Sequence, residues 1–146
     1  MSSCSESTLD PNAGRDADGA ILGGVYKYIE RNESDIVVVD PFTGEVKKKL
    51  HKPHPDHSAA LTTAGGLLFT GFVDGSFAAY DDASLEQLWQ INVGAGFNAP
   101  PMTFEVGGKQ YVAILTGLGR NGRTALVNTP ELREMRSQTM LFVFGL

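Results

Sequence analysis

The sequence predicts an all-β fold, a partial β-propeller of about three blades or part-blades, on three observations. The first is the run Leu61-Thr62-Thr63-Ala64-Gly65-Gly66-Leu67-Leu68-Phe69-Thr70-Gly71, followed by Asp74-Gly75-Ser76-Phe77-Ala78-Ala79-Tyr80-Asp81. It reads strand, tight turn, strand, because glycines bound an apolar run and Asp-Gly supplies the positive φ of a hairpin turn. The second is a repeat. Ile36-Val37-Val38-Val39-Asp40 precedes Thr43-Gly44-Glu45 as Phe77-Ala78-Ala79-Tyr80-Asp81 precedes Ser84-Leu85-Glu86, and both the aspartates and the glutamates lie 41 positions apart. Four short antiparallel strands with their turns take about 40 to 50 residues, so this period is that of one propeller blade. The third is composition: 17 glycines, eight phenylalanines and four tyrosines in 146 residues, with 42% hydrophobic residues, suit a turn-rich β protein rather than a disordered one. A closed propeller needs about four or more blades, so the chain holds only part of one.

Taken in order, residues 1–19 are rich in Ser, Asp, Asn and Gly and are expected to be loop or disordered. Residues 20–146 are expected to form the blades. A strand is predicted within residues 20–28, around Ile21-Leu22-Gly23-Gly24-Val25-Tyr26, and a hairpin from Ile36–Val39 and Glu45–Leu50 around Pro41-Phe42-Thr43-Gly44. His51–Ser58 carries prolines at 53 and 55, each of which removes a donor and disfavours helix before it, so an extended connector is predicted. Strands follow at Leu61–Thr63, Leu67–Gly71, Phe77–Tyr80 and Leu85–Asn92. Met102–Val106 and Tyr111–Leu115 form another hairpin, joined by Gly107-Gly108, a pair suited to a type I′ turn. Thr116–Val127 reads as a loop, Thr129 as the N-cap of a short helix starting at Pro130-Glu131, and Leu141–Phe144 as a last strand that, by propeller architecture, completes a blade begun at the other end of the chain.

Twelve basic against seventeen acidic residues leave a net charge of −5, which gives no field to attract a phosphate backbone, so nucleic acid is not an expected partner. No apolar run approaches the ~20 residues of a membrane helix, and the N-terminus is polar where a signal peptide would have a basic start and an apolar core. Cys4 is the only cysteine, so no internal disulfide forms and cysteine usage does not report the redox compartment.

Four constellations invite a chemical reading. Gly117-Leu118-Gly119-Arg120-Asn121-Gly122 matches G-x-G-x-x-G, but a dinucleotide turn must open a helix inside a βαβ unit, and hairpins surround this one. His51, His54 and His57, with Asp56, are zinc-type ligands three residues apart, a spacing that gathers them on one face only in a helix, which the prolines forbid. Trp89, the single tryptophan, reads as a core or inter-blade packing group, with stacking on a flat ligand as the alternative. Asp40, Asp81 and Asp82 sit at repeat positions that mark turn residues, whose carboxylates bond nearby backbone amides. No Ser-His-Asp order, P-loop or Cys-x-x-Cys supplies a nucleophile and its base.

Leu61–Asp81, Glu86-Gln87-Leu88-Trp89, Ala99-Pro100-Pro101-Met102-Thr103-Phe104-Glu105-Val106-Gly107-Gly108-Lys109-Gln110-Tyr111-Val112-Ala113 and the closing Leu141-Phe142-Val143-Phe144-Gly145-Leu146 closely resemble the C-terminal end of pyrroloquinoline quinone (PQQ)-dependent alcohol dehydrogenases of the methanol/ethanol type. The resemblance covers about residues 20–146. It implies an eight-bladed quinoprotein propeller with PQQ near its axis over a calcium or lanthanide ion, oxidising an alcohol in the periplasm and passing electrons to a cytochrome c. That family's docking pattern, Ala-x-Asp-x-x-x-Gly-x-x-x-Trp, is matched by Ala79, Asp81 and Trp89 with Leu85 in place of glycine, and by Asp40 and Gly44 with Lys48 in place of tryptophan. The segment that lies close to the quinone aligns with His57, Ser58 and Ala59, the cofactor-binding candidates. The family's catalytic aspartate, metal ligands and vicinal disulfide belong to earlier blades, so no catalytic or metal residue is assigned here. The reading is a C-terminal portion of such an enzyme, inactive alone and completed by the remaining blades. The alternatives are a non-catalytic propeller-derived scaffold that oligomerises through open sheet edges, and a zinc protein using the three histidines.

Overall fold

The computed structural model describes residues 33–119, 129–132, 135 and 138–146. Its strands are β1 (Ser34–Val39), β2 (Val46–Lys52), β3 (Leu61–Thr62), β4 (Leu67–Gly71), β5 (Ser76–Asp81), β6 (Gln87–Asn92), β7 (Met102–Val106), β8 (Lys109–Leu115) and β9 (Leu141–Gly145). They form three antiparallel sheets, of order β1-β2, β3-β4-β5-β6 and β7-β8-β9. The predicted strand at residues 20–28 and the N-terminal loop lie outside the described residues.

The repeat in the sequence is a repeat in the backbone. Val38 pairs with Lys48 and Val39 with Val46 across a bulge, and 41 residues on Ala79 pairs with Trp89 and Tyr80 with Gln87 across the same bulge. Each turn is closed in the same way. Asp40 N–H donates to Glu45 O and Asp81 N–H to Glu86 O, both at 2.9 Å. The Asp40 carboxylate accepts from Phe42 and Thr43 N–H, and the Asp81 carboxylate from Ala83 and Ser84 N–H. These short-range bonds are what an aspartate opening a turn is suited to make, so Asp40 and Asp81 are turn residues as expected.

The sheets stack face to face with the four-stranded sheet in the middle. On one side of it Leu68, Ala78, Tyr80 and Leu85 bury against Ile36, with Val38 and Leu50 packed beside them. On the other, Phe69, Phe77 and Ala79 bury against Val112 and Ile114 with Phe142 and Phe144. Burial on both faces explains why β5 is almost wholly buried and reads as a continuous small-and-aromatic run rather than a strict alternation. Gly71 is a contact point: a Cβ there would lie 2.6 Å from the Phe97 ring and 2.9 Å from Ile114, so only glycine admits the neighbouring sheet so closely.

Three expectations are corrected. His51 and Lys52 belong to β2, paired with Asp35 and Ser34, so the proline-containing connector starts at Pro53. The helix predicted at Pro130 is one turn of 3₁₀-helix, Pro130–Leu132, with Leu132 N–H bonded to Thr129 O at 2.9 Å. Leu85 stands outside β6 with φ of 59°, in the turn. The closing strand β9 pairs antiparallel with β8, and Thr116 N–H donates to Met140 O at 2.9 Å where the two strands meet. Gly107 and Gly108 both have positive φ, as the type I′ turn requires.

Candidate functional site

Antiparallel order puts the turns 40–45, 63–66, 81–86 and 107–108 at one end of the sheets, and the turn 72–75 with the longer connectors at the other. Such a division matters because loops on a rigid β scaffold are where ligand-binding groups gather. The connector end holds 53–60, 72–75, 93–101 and the described part of 116–140.

These connectors are tied to each other. Ser58 Oγ–H donates to Ala99 O at 2.8 Å, across 41 residues of sequence. Phe97 N–H donates to Phe72 O at 3.1 Å and Gly117 N–H to Gly96 O at 2.9 Å. Thr116 Oγ1 donates to Gln138 O at 2.8 Å. Beneath them Val73, Leu118 and Leu132 form a small apolar plug with Met135.

The predicted cofactor residues divide. Ser58 is buried, its N–H donated to Asp56 Oδ1 at 2.9 Å and its hydroxyl to Ala99 O, so both of its donors are spent inside the protein. His57 is half-buried, and burial lowers its pKa from the ordinary 6.5, which keeps the imidazole neutral at pH 7. Its Nε2 has no hydrogen-bond partner among the described residues. Ala59 is exposed.

Asp56, between His54 and His57, was not a cofactor candidate in the sequence. Its carboxyl is buried and raised to about 6, chiefly by loss of solvation, against the opposing bond from Ser58 and the field of Lys52. Its Oδ2 makes no hydrogen bond among the described residues, nor does His54 Nδ1. Lys52 Nζ sits 4.3 Å above the Phe72 ring. Nothing in the sequence around Asp56 distinguishes a buried carboxyl from a solvated loop residue.

The other constellations resolve as structure. His51 faces Asp35 at 3.0 Å, His54 approaches Glu131 at 3.8 Å, and among the described residues no group of three His, Cys, Asp or Glu could hold a metal ion. Gly117 and Gly119 lie in the loop after β8, and Gly122 falls outside the described residues. Trp89 stands edge-on to Phe77 (6.1 Å, 86°) and to Phe144 (5.5 Å, 70°), so it packs between the middle and last sheets.

The sequence of these stacked sheets, over residues 28–112, matches the PQQ glucose/ethanol/alcohol dehydrogenase β-propeller domain family. The chain belongs to this family. Among its relatives, the quinoprotein ethanol dehydrogenase of Pseudomonas aeruginosa is 43% identical over 106 residues, covering 69% of this chain and 17% of that protein. The lupanine 17-hydroxylase [cytochrome c] of a Pseudomonas species is 36% identical, covering 70% of this chain and 14% of that protein. A europium-containing methanol dehydrogenase superposes with a TM-score of 0.69 at 27% identity, over 84% of this chain and 25% of that one. The quinohemoprotein alcohol dehydrogenase of Comamonas testosteroni gives 0.65, over 76% and 16%. The chain therefore spans about a sixth of the length of the curated relatives it matches.

PQQ is a flat o-quinone bearing three carboxylates, and holding it takes cations, donors and a flat apolar face. His57, Ser58 and Ala59 do not fit it as a binding set: the imidazole is neutral, the Ser58 donors are committed, and Ala59 offers no polar side chain. Beside them lie the buried Asp56 carboxyl, the wrong sign for a tricarboxylate, and Lys52, whose field acts on that carboxyl.

Proposed function

We propose that this chain supplies C-terminal blades of a periplasmic PQQ-dependent alcohol dehydrogenase, an enzyme that oxidises a primary alcohol and delivers the electrons through PQQ to a cytochrome c. The observation that carries the reading is the stack itself: blade-like sheets with an identical turn and bulge 41 residues apart, in a chain of the quinoprotein propeller family. The PQQ and its calcium or lanthanide ion are held in this reading mainly by the other blades. His57 and Ala59 border the pocket, and the Ser58–Ala99 bond fixes the rim. By itself the chain catalyses nothing.

The test is fragment complementation. The chain is co-expressed with the preceding blades of the Pseudomonas aeruginosa quinoprotein ethanol dehydrogenase, and dye-linked ethanol oxidation is followed with PQQ and calcium. Activity only when both pieces are present supports the reading. Quinone-dependent dye reduction by the isolated chain, or a soluble complex with no activity, overturns it.

A second reading, a non-catalytic scaffold that oligomerises, is favoured by one observation. Both outer faces of the stack carry exposed apolar side chains, Val37, Val39 and Val46 on the first sheet and Met102, Leu115, Leu141 and Val143 on the last. A sharp homo-oligomer by sedimentation would support it over the fragment reading.

A further inference from the structure

The connector between the first and middle sheets folds over one buried acid. Asp56 is 9% exposed, and its Oδ2 is buried without a hydrogen bond among the described residues. Its Oδ1 accepts Ser58 N–H at 2.9 Å, a bond that spans two residues and stays within the connector. The next bond along reaches out of it: Ser58 Oγ–H donates to Ala99 O at 2.8 Å. Upstream, Ser34 Oγ–H holds His54 O at 2.8 Å, and downstream the chain enters β3 at Leu61. Asp56 and Ser58 are therefore locked to each other between two fixed points, and Ser58–Ala99 is the long-range tie that yields if they move.

Charged and titratable groups face the acid from each neighbouring segment. Lys52, at the end of β2, attracts it, but the ammonium lies 4.3 Å over the Phe72 ring and 5.6 Å over the Tyr80 ring and makes no ion pair with Asp56 among the described residues. Asp74, in the turn between β4 and β5, brings a like charge. On the connector itself His57 is kept neutral by burial, and His54 turns its Nδ1 toward Glu131 at 3.8 Å. An ionised Asp56 would keep one oxygen buried and unbonded near that like charge, a far heavier penalty than the neutral acid meets. The closed connector thus suits the neutral acid, and water suits the ionised one.

We propose that Asp56 latches a local gate: with its carboxyl protonated the connector lies closed, and on ionisation the segment 55–59 swings outward, breaking Ser58–Ala99 and exposing the His57 imidazole and the Ser58 hydroxyl. The local Asp56–Ser58 bond survives the motion, because both partners travel together. The gate goes beyond the assignment above and does not depend on it, since every contact involved lies within this chain. Its consequence is chemical: the open connector presents a hydroxyl donor that the closed one spends on Ala99. Asp56 keeps its proton up to about pH 6 when closed, against 3.8 for the ordinary group, so the open-to-closed ratio rises about a hundredfold between about pH 4 and 6 and is flat above.

The buried Nε2 of His57 is the reporter. The full chain is labelled with diethyl pyrocarbonate, the His57 adduct is measured by mass spectrometry, and its rate is divided by that of added N-acetylhistidine to remove the intrinsic pH dependence. The ratio should rise about tenfold from pH 5 to pH 7, the part of the transition that lies in this range. Asp56→Asn, uncharged at both pH values, should abolish the rise. Ser58→Ala, which loses the tie to Ala99, should raise the ratio several-fold at pH 5 and keep the pH dependence. Trp89, packed between the middle and last sheets, monitors the rest of the fold, and its fluorescence should stay constant throughout. A flat ratio in the unmodified chain overturns the proposal, as does a rise that survives in Asp56→Asn. A Trp89 emission shift in step with the labelling also overturns it, because the chain is then unfolding as a whole. Where Asp56→Asn does not fold, Ser58→Ala decides, and a ratio there no higher than in the unmodified chain at pH 5 overturns the proposal.

Discussion

The turn joining β1 to β2 and the turn joining β5 to β6 have the same backbone and different fates. Both are opened by an aspartate that caps the next amides, both are followed by the same bulge, and Gly44 in the first has φ of 74° where Leu85 in the second has 59°. Glycine takes that left-handed conformation freely, whereas a side chain there costs about 1 kcal/mol. A Cβ on Gly44 would meet nothing within 4 Å, while Leu85 is buried with Ile36, Leu68 and Tyr80. The strained leucine is thus held by apolar contact with the neighbouring sheet. The strands show the same split: β5 is covered on both faces, β1 on one. Local sequence makes the turn, and the stack decides what the turn is worth.

The largest break should come from truncating the repeat-related core residues. Phe77→Ala removes a ring with four aromatic neighbours at a fully buried site and should cost about 4 kcal/mol, and Ile36→Ala, one repeat earlier, about 3 kcal/mol, measured by urea unfolding. Equal losses would mean that the two interfaces are packed alike.

The connector between the two repeats should carry a pH signature. Asp56 binds its proton more tightly folded (about 6) than unfolded, where 3.8 applies, so the folded state holds more protons between those values. The Asp56 contribution to stability is accordingly greatest below about pH 4, falls as pH rises through about 6, and is flat above, a loss of about 3 kcal/mol. Asp56→Asn should flatten this slope in thermal melts from pH 4 to 7. Asp81 works in the opposite sense: its amide and hydroxyl bonds from Ser84 lower its pKa, so its contribution is lost as pH falls through the depressed value.

Exchanging the turn residues sharpens the contrast further. Leu85→Gly relieves strain but exposes the cluster it covers, a net loss of about 1–2 kcal/mol. Gly44→Leu puts the same side chain in open space and should cost about 1 kcal/mol, all of it backbone. A gain in stability from Leu85→Gly would show that its contacts are incidental. The smallest difference is expected between Ser84→Ala and Thr43→Ala. Ser84 Oγ both donates to Asp81 at 2.8 Å and accepts from Glu86 N–H, whereas Thr43 Oγ1 accepts from Glu45 N–H. Both are exposed, so losses of a few tenths of a kcal/mol are expected, the serine the larger.

The described strands and both repeat turns were legible because their signals are local: alternating apolar residues, glycine punctuation and aspartates two or three residues from the amides they cap. The short helix expected from Pro130 forms as a 3₁₀ turn: its start signal is local in the sequence, whereas Leu132 packs with Val73 and Leu118 from distant parts of the chain. The site was less legible still. His57, Ser58 and Ala59 came from resemblance, and their neighbour Asp56 shows its perturbed carboxyl only once Lys52, Asp74 and the surrounding burial are in place.

Sequence alone determined the blade period, the turn chemistry and membership in the quinoprotein family, since each rests on residues close together in the chain or on their order. Tertiary structure alone decided that Leu85 is held in a left-handed turn, that Trp89 stands between sheets, that Ser58 is tied to Ala99 and that Phe144 of β9 stacks on Phe77 of β5. Burial and desolvation depend on which distant segments meet, and that is settled only when the sheets stack.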